Sequence, residues 1–234
     1  MDRLSSGIDY RRCIVTYVDI LGFKELISRS QEDGAVRVDI LSALQAFSAS
    51  LKDTGIPVEG QPPVQPTFVI RNFSDLLLRF QPIPDEKDIS QAIVSELVDI
   101  CFAQATLLRD GILLRGAVTL GELFWDDNHV FGPGLVRAYE IESRLSMYPR
   151  IVVEPEINLH LEPEKDLEYL EIISRDFDGS WFVDYLNGYF TSASQFLGEL
   201  DILGLSEIRD VITADLPDPQ LPVSSKAQKI FWLA

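Results

Sequence analysis

The 234-residue chain is poor in the residues that several functions require: it has two cysteines, two histidines and two methionines, and its 37 acidic residues outnumber its 20 lysines and arginines. Two cysteines cannot build a disulfide framework or a thiolate metal cluster. Cys13 and Cys101 stand beside apolar residues and are expected as reduced core side chains. A formal charge of −17 argues against a grip on nucleic-acid backbone, which depends on surplus cations. An anionic ligand would need metal ions to enter. No charged-then-apolar leader opens the sequence, and no apolar run approaches the length of a bilayer span, so a cytoplasmic protein with neither nucleic acid nor membrane as partner is expected.

What is present is a 46% hydrophobic composition, enough for one substantial core. Ile14 to Asp19 is an apolar, β-branched strand ending in an acid, and Gly22 allows a sharp turn into a helix. Val36, Ile40, Leu44, Phe47 and Leu51 recur at helical spacing. The Gly55 to Pro66 cluster breaks that helix. Thr67 to Arg71 and Leu76 to Phe80 read as strands around the hairpin turn Asn72-Phe73-Ser74-Asp75. A long helix capped at Asp88 or Ser90 runs to about Arg109, with Gly111 as its stop.

Ile112 to Leu120 is a strand, which Gly121 to Trp125 either extends or answers as a hairpin partner, with Asp126-Asp127-Asn128 as the turn. Pro133 opens a helix to about Met147, and Ile151 to Glu154 is a strand. This order fits an α+β, ferredoxin-like (βαββαβ) domain, with helices packed on a mainly antiparallel sheet, better than a doubly wound one. Beyond it come a strand at Trp181 to Leu186, a helix at Ser192 to Leu203, and a proline-rich stretch from Leu216 to Pro222 before a final apolar segment, Lys229 to Ala234. The division expected is residues 10–155 as the main unit and 156–234 as a C-terminal extension packed on it.

Asp19 and Asp75 fall at neighbouring strand ends, where two carboxylates can hold hard cations that clamp a triphosphate. Taken singly, each acid is also an ordinary turn residue. The run Tyr17-Val18-Asp19-Ile20-Leu21-Gly22-Phe23 resembles the first metal-binding motif of class III nucleotide cyclases. Asn72-Phe73-Ser74-Asp75 is similar to the hairpin of the second metal aspartate, with Ser74 in place of a glycine. Arg115-Gly116-Ala117-Val118-Thr119-Leu120-Gly121-Glu122 resembles the family's arginine-containing strand, and Phe131-Gly132-Pro133-Gly134 with Ala138 and Glu142 resembles its last helix. The four stand in family order.

The resemblance implies a cyclase acting on a nucleoside triphosphate as a homodimer, with Mg²⁺ or Mn²⁺ held by Asp19, Ile20 and Asp75. It implies Arg115 as a phosphate-binding catalytic candidate, and Gly22, Phe23 and Ser74 beside the nucleotide. The base-reading position falls at His129, with Asp127 nearby. The family's helix asparagine and arginine are replaced by Val136 and Glu140, for which Arg137 and Arg144 are substitute cations. An acid in place of a phosphate-binding cation opposes the transition state, so the alternative is a catalytically degenerate nucleotide-binding or regulatory domain. The segments Asp176-Phe177-Asp178-Gly179 and Trp181-Phe182-Val183-Asp184-Tyr185 are similar to bacterial proteins with divergent cyclase-like domains, some related to pyrimidine cyclases of antiphage signalling. Asp176 and Asp178 lack the spacing of a calcium loop and read as a turn between strands.

Overall fold

The computed structural model describes residues 8–51, 68–161, 172–188 and 202–214. Its centre is β1 (Arg11–Ile20), whose residues from Cys13 to Thr16 are all buried. A strand covered on both faces reads as a continuous apolar run instead of an alternating one. Ile14, Val18 and Ile20 enter the larger core, whereas Cys13 and Val15 enter a smaller one on the opposite face. Both cysteines are free and buried, and burial pushes each thiol up to about 12.

After β1 the chain turns at Gly22, with φ 84°, into α1 (Phe23–Ser30), and Asp33 then caps α2 (Gly34–Ser50) by accepting from the Ala35 N–H at 2.8 Å. The hairpin of β2 (Val69–Phe73) and β3 (Leu76–Pro82) closes on Ser74 and Asp75. Ser74 has φ 58°, a conformation that glycine adopts without strain. The long helix α3 (Ile89–Arg109) follows, then β4 (Leu114–Trp125). β4 runs unbroken through Gly121 and forms its hairpin only at β5 (Val130–Phe131), which settles the two readings of Gly121 to Trp125 in favour of extension. Pro133 opens α4 (Pro133–Leu145), which leads into β6 (Ile151–Val153).

The sheet runs β2-β3-β1-β4-β6, with β1 antiparallel to β3 and β4, and β6 parallel to β4. The first four strands with their helices give the ferredoxin-like order that the sequence indicates, and α4 is the crossover that a parallel pair requires. β7 (Ile173–Arg175) and β8 (Trp181–Val183) continue the same eight-stranded sheet beyond β6. Asp176 to Ser180 forms the turn between them, with Gly179 at φ 85°. A further helix, α5 (Ile202–Ala214), lies against α3, with Ile208 buried and Arg109 bonded to Glu207 at 2.6 Å. The helix expected at Ser192 to Leu203, the breaker at Gly55 to Pro66 and the segments from Leu216 to Ala234 lie wholly or mostly outside the described residues.

α2 and α3 cover the face of the larger core, and α4 covers the other. One finding differs from the sequence expectation. Residues Glu86–Arg109 are long and apolar enough to cross a membrane by length and composition. Much of that length is buried inside the fold, including Ile93, Leu97, Ile100 and Leu107 against the sheet, which accounts for its apolar character.

Candidate functional site

The alternation along β1 puts Asp19 on the same face as Tyr17, beneath α4, and the register with β4 sets Asp19 opposite Arg115. There Arg115 donates from Nε to Asp19 Oδ1 and from Nη2 to Oδ2, both at 2.8 Å, a two-pronged pair. Glu142 reaches the same guanidinium from α4, with Oε1 3.1 Å from Nη2. That contact is off-axis, and Oε1 is left without an aligned hydrogen bond. The Asp19 hydrogen bonds raise the Arg115 pKa; burial opposes this, and the charges of Asp19, Glu142 and Asp75 add to the rise. Burial likewise raises Glu142, against the pull of Arg115. Tyr17, packed edge-on against Tyr139 of α4, is pushed up to about 12 by burial and by the charges of Glu142 and Asp19.

Asp75 completes the group from the β2–β3 turn. The Ile20 N–H donates to the Asp75 carbonyl at 3.3 Å, tying the turn to the end of β1, and Asp19 pairs in register with Leu76. Asp19 and Glu142 thus contact Arg115 while Asp75 adds its charge from farther off, so three acids act on this one arginine at one end of the sheet. Hard oxygen donors with a negative surplus suit Mg²⁺ or Mn²⁺. Among the described residues, however, no three carboxylate, imidazole or thiolate groups converge as a metal cage. The donors therefore fit a cation held by one or two carboxylates and completed by water and substrate phosphates, the usual arrangement for Mg²⁺. Arg115 bonds to both Asp19 oxygens, and a cation using their remaining lone pairs would set its charge against the guanidinium, which favours release of Asp19 by Arg115.

The other expected residues scatter. The Ile20 side chain is buried in the larger core, so any contribution to the site must come from its main chain, and Phe23 is likewise a core residue, 6% exposed. Gly22 and Ser74 lie at the same sheet end as Asp19, each with positive φ. Asp127 and His129 do not join them. They sit exposed in the β4–β5 turn, ten residues along β4 from Arg115, or ~33 Å at strand rise. His129 Nδ1 lies 3.0 Å from Asp126 Oδ1. Arg137 donates from Nε to Glu154 Oε1 at 2.5 Å, so its charge is engaged away from Asp19, and Glu154 also accepts from Thr119. Arg144 is exposed, with no ion-pair partner among the described residues. Val136 is 57% exposed on the outer side of α4, and Glu140 is half-buried.

Glu142 is the site residue that sequence reasoning quoted in a motif but did not assign a role. The signal was available: with Gly134, Ala138 and Ile141, it lies on the buried face of α4, where an acid is out of place.

No family model and no curated protein matches the chain. Among solved structures, the adenylyl cyclase CyaB from P. aeruginosa shares 17% identity, covering 75% of this chain and 94% of that one, with a TM-score of 0.51. The monomeric guanylyl cyclase domain of the RhoGC fusion protein from the aquatic fungus Blastocladiella emersonii shares 13% identity, covering 75% and 95%, with a TM-score of 0.49. The likeness to CyaB, at this identity, is one of architecture: this chain has the mixed, mainly antiparallel fold of a class III cyclase catalytic domain.

Proposed function

We propose that the chain is a metal-dependent nucleotide cyclase-like protein that converts a nucleoside triphosphate to a cyclic nucleotide and pyrophosphate. The observation carrying this reading is the meeting of Asp19 and Asp75 at adjacent strand ends, tied by the Ile20–Asp75 main-chain bond and surrounded by surplus negative charge. Asp19 and Asp75, with the Ile20 carbonyl, would hold Mg²⁺ or Mn²⁺. Bound there, the cations would supply charge neutralisation on the triphosphate and acidify the attacking ribose hydroxyl. Gly22 and Ser74 keep side-chain bulk away from the phosphates, and Arg115 orients Asp19. In this reading residues 10–155 form the cyclase-like unit and 156–234 an extension on it.

Asp127 and His129 lie too far from Asp19 to serve the same site within one chain, which supports a homodimer in which a second copy brings its own turn to the first copy's acids. The negative surface and the burial of α3 support a cytoplasmic protein without nucleic-acid or membrane partners. Antiphage signalling, with a pyrimidine nucleotide as product, is the setting suggested by the sequence resemblance.

A second reading, a degenerate domain that binds a nucleotide without turnover, is favoured by Val136 and Glu140 and by the engagement of Arg137 with Glu154. Incubation with each of the four triphosphates and Mn²⁺ separates the two. The cyclase reading expects a cyclic product that disappears in Asp19→Ala. Thermal stabilisation by nucleotide without any product would transfer the site to the second reading.

A further inference from the structure

Glu142 is a buried anion that the architecture of α4 does not require. Its neighbours on that face are Gly134, Ala138 and Ile141, its side chain is 5% exposed, and among the described residues Oε2 is used only by the adjacent Ser143 hydroxyl at 3.1 Å. A buried carboxylate is costly unless a cation answers it. Arg115, the cation within reach, directs its two aligned bonds at Asp19 and leaves Glu142 Oε1 with an off-axis contact. A guanidinium has five N–H donors in a fixed fork, so a small rotation of Arg115 can serve Glu142 fully.

We propose that Glu142 is a positioning residue that takes over Arg115 when Asp19 turns to a divalent cation, so that Arg115 is exchanged between two carboxylates and never left as an unpaired charge beside the cation. The inference rests on the reading of Asp19 as a metal ligand. It assigns Arg115 a role other than phosphate binding: at rest Arg115 holds Asp19 in place, and on loading Glu142 holds Arg115 clear.

The test is Mn²⁺ binding to the full chain without nucleotide, followed by the electron paramagnetic resonance of the free ion. Glu142→Gln keeps the shape of the side chain but loses its hold on Arg115. It is expected to weaken Mn²⁺ by about tenfold, and Arg115→Gln, which removes the competitor, to tighten it several-fold. A general loss of negative field would also weaken binding, so the double variant is decisive. If Glu142 acts through Arg115, Glu142→Gln has no further effect in the Arg115→Gln background. Additive effects, or an unchanged Glu142→Gln, overturn the exchange. If Glu142→Gln melts early, Arg115→Gln still decides, since unchanged or weaker binding in that variant also overturns it. Asp19→Asn separates the layers. If the wild type binds no Mn²⁺, or Asp19→Asn binds it equally well, the metal reading falls and the exchange falls with it. If Asp19→Asn abolishes binding while the cycle is additive, only the exchange is lost.

Discussion

Each face of the sheet carries an arginine among carboxylates, and only one of the two guanidiniums meets water. Under α3, Arg79 of β3 meets Glu96 at 3.1 Å and also pairs with Asp99, with its guanidinium 4.1 Å from the Phe68 ring centroid. Thr16, its register partner on β1, donates to Glu96 at 2.6 Å. Arg79 and Glu96 are each 1% exposed. Under α4, three residues further along β1, Arg115 is 33% exposed and Asp19 17%. The chemistry of the two clusters is nearly the same, but the first cannot exchange partners without opening the core, whereas the second can admit water, a cation or a phosphate. Solvent access, more than the presence of an ion pair, separates the structural cluster from the candidate site.

Truncating each arginine is the most forceful way to break this comparison. Arg79→Ala leaves the fully buried Glu96 without its cation and is expected to cost about 3–5 kcal/mol in urea unfolding, close to the whole stability of some domains. Arg115→Ala leaves Asp19 in contact with water but also takes the neighbouring cation from the buried Glu142, and is expected to cost less, about 1–3 kcal/mol. Equal losses from the two variants would show that the α4 face is as closed as the other.

The seating of α4 sharpens the same contrast with a smaller effect. β4 and α4 meet glycine to glycine, and a Cβ on Gly121 would lie 2.4 Å from the Gly134 Cα. Gly121→Ala must therefore lift α4 from the sheet, at an expected cost of about 1–3 kcal/mol. Because α4 carries Glu142, the displacement should also loosen Arg115 and alter Mn²⁺ binding. Gly34→Ala, at the exposed start of α2 with open space around it, is the control and should leave both unfolding and Mn²⁺ binding nearly unchanged. A Gly121→Ala protein as stable as the wild type would mean that α4 is not held by this contact.

Much of the site was legible because it depends on local pattern. The apolar run that ends in Asp19, the turn at Gly22 and Pro133 at the start of α4 are each set by neighbours in sequence and lie where expected, and the turn expected over Asn72 to Asp75 tightens to Ser74 and Asp75 because Asn72 and Phe73 pair within β2. The rest depends on register and length. That Arg115 faces Asp19 follows only once β1 and β4 are paired, and a register slip of one residue would put it on the other face. That Asp127 and His129 fall at the opposite end of the sheet follows from β4 being one unbroken twelve-residue strand, which Gly121 obscured. Arg79 was not singled out either, because a charge in an apolar strand gives no sign of the acids that α3 brings over it. The strand β7 and the helix α5 also went unread, since three residues of strand carry too little pattern and α5 lies past the helix expected at Ser192 to Leu203.

A third arginine lies between the two extremes and gives the smallest expected effect. Arg150 is 1% exposed and links the end of α4, through the Leu145 carbonyl at 2.8 Å, to Asp176 and Asp178 of the β7–β8 turn, whereas Asp178 is 33% exposed. The Arg150 hydrogen bond holds the Asp178 carboxyl down at about 2, against an ordinary aspartate near ~3.9. The folded pKa is the lower one, so the stability from this pair is fully present above about pH 4 and is lost as pH falls through about 2. Asp178→Asn should therefore melt about 2–4 °C below the wild type at about pH 6, with the gap closing steadily on acidification, as calorimetry at several pH values would record. A gap that stays constant with pH would show that the ionisation of Asp178 contributes nothing to stability. The Arg150 cluster would then behave like the sealed Arg79 cluster, with its buried cation held by Asp176 and the Leu145 carbonyl oxygen.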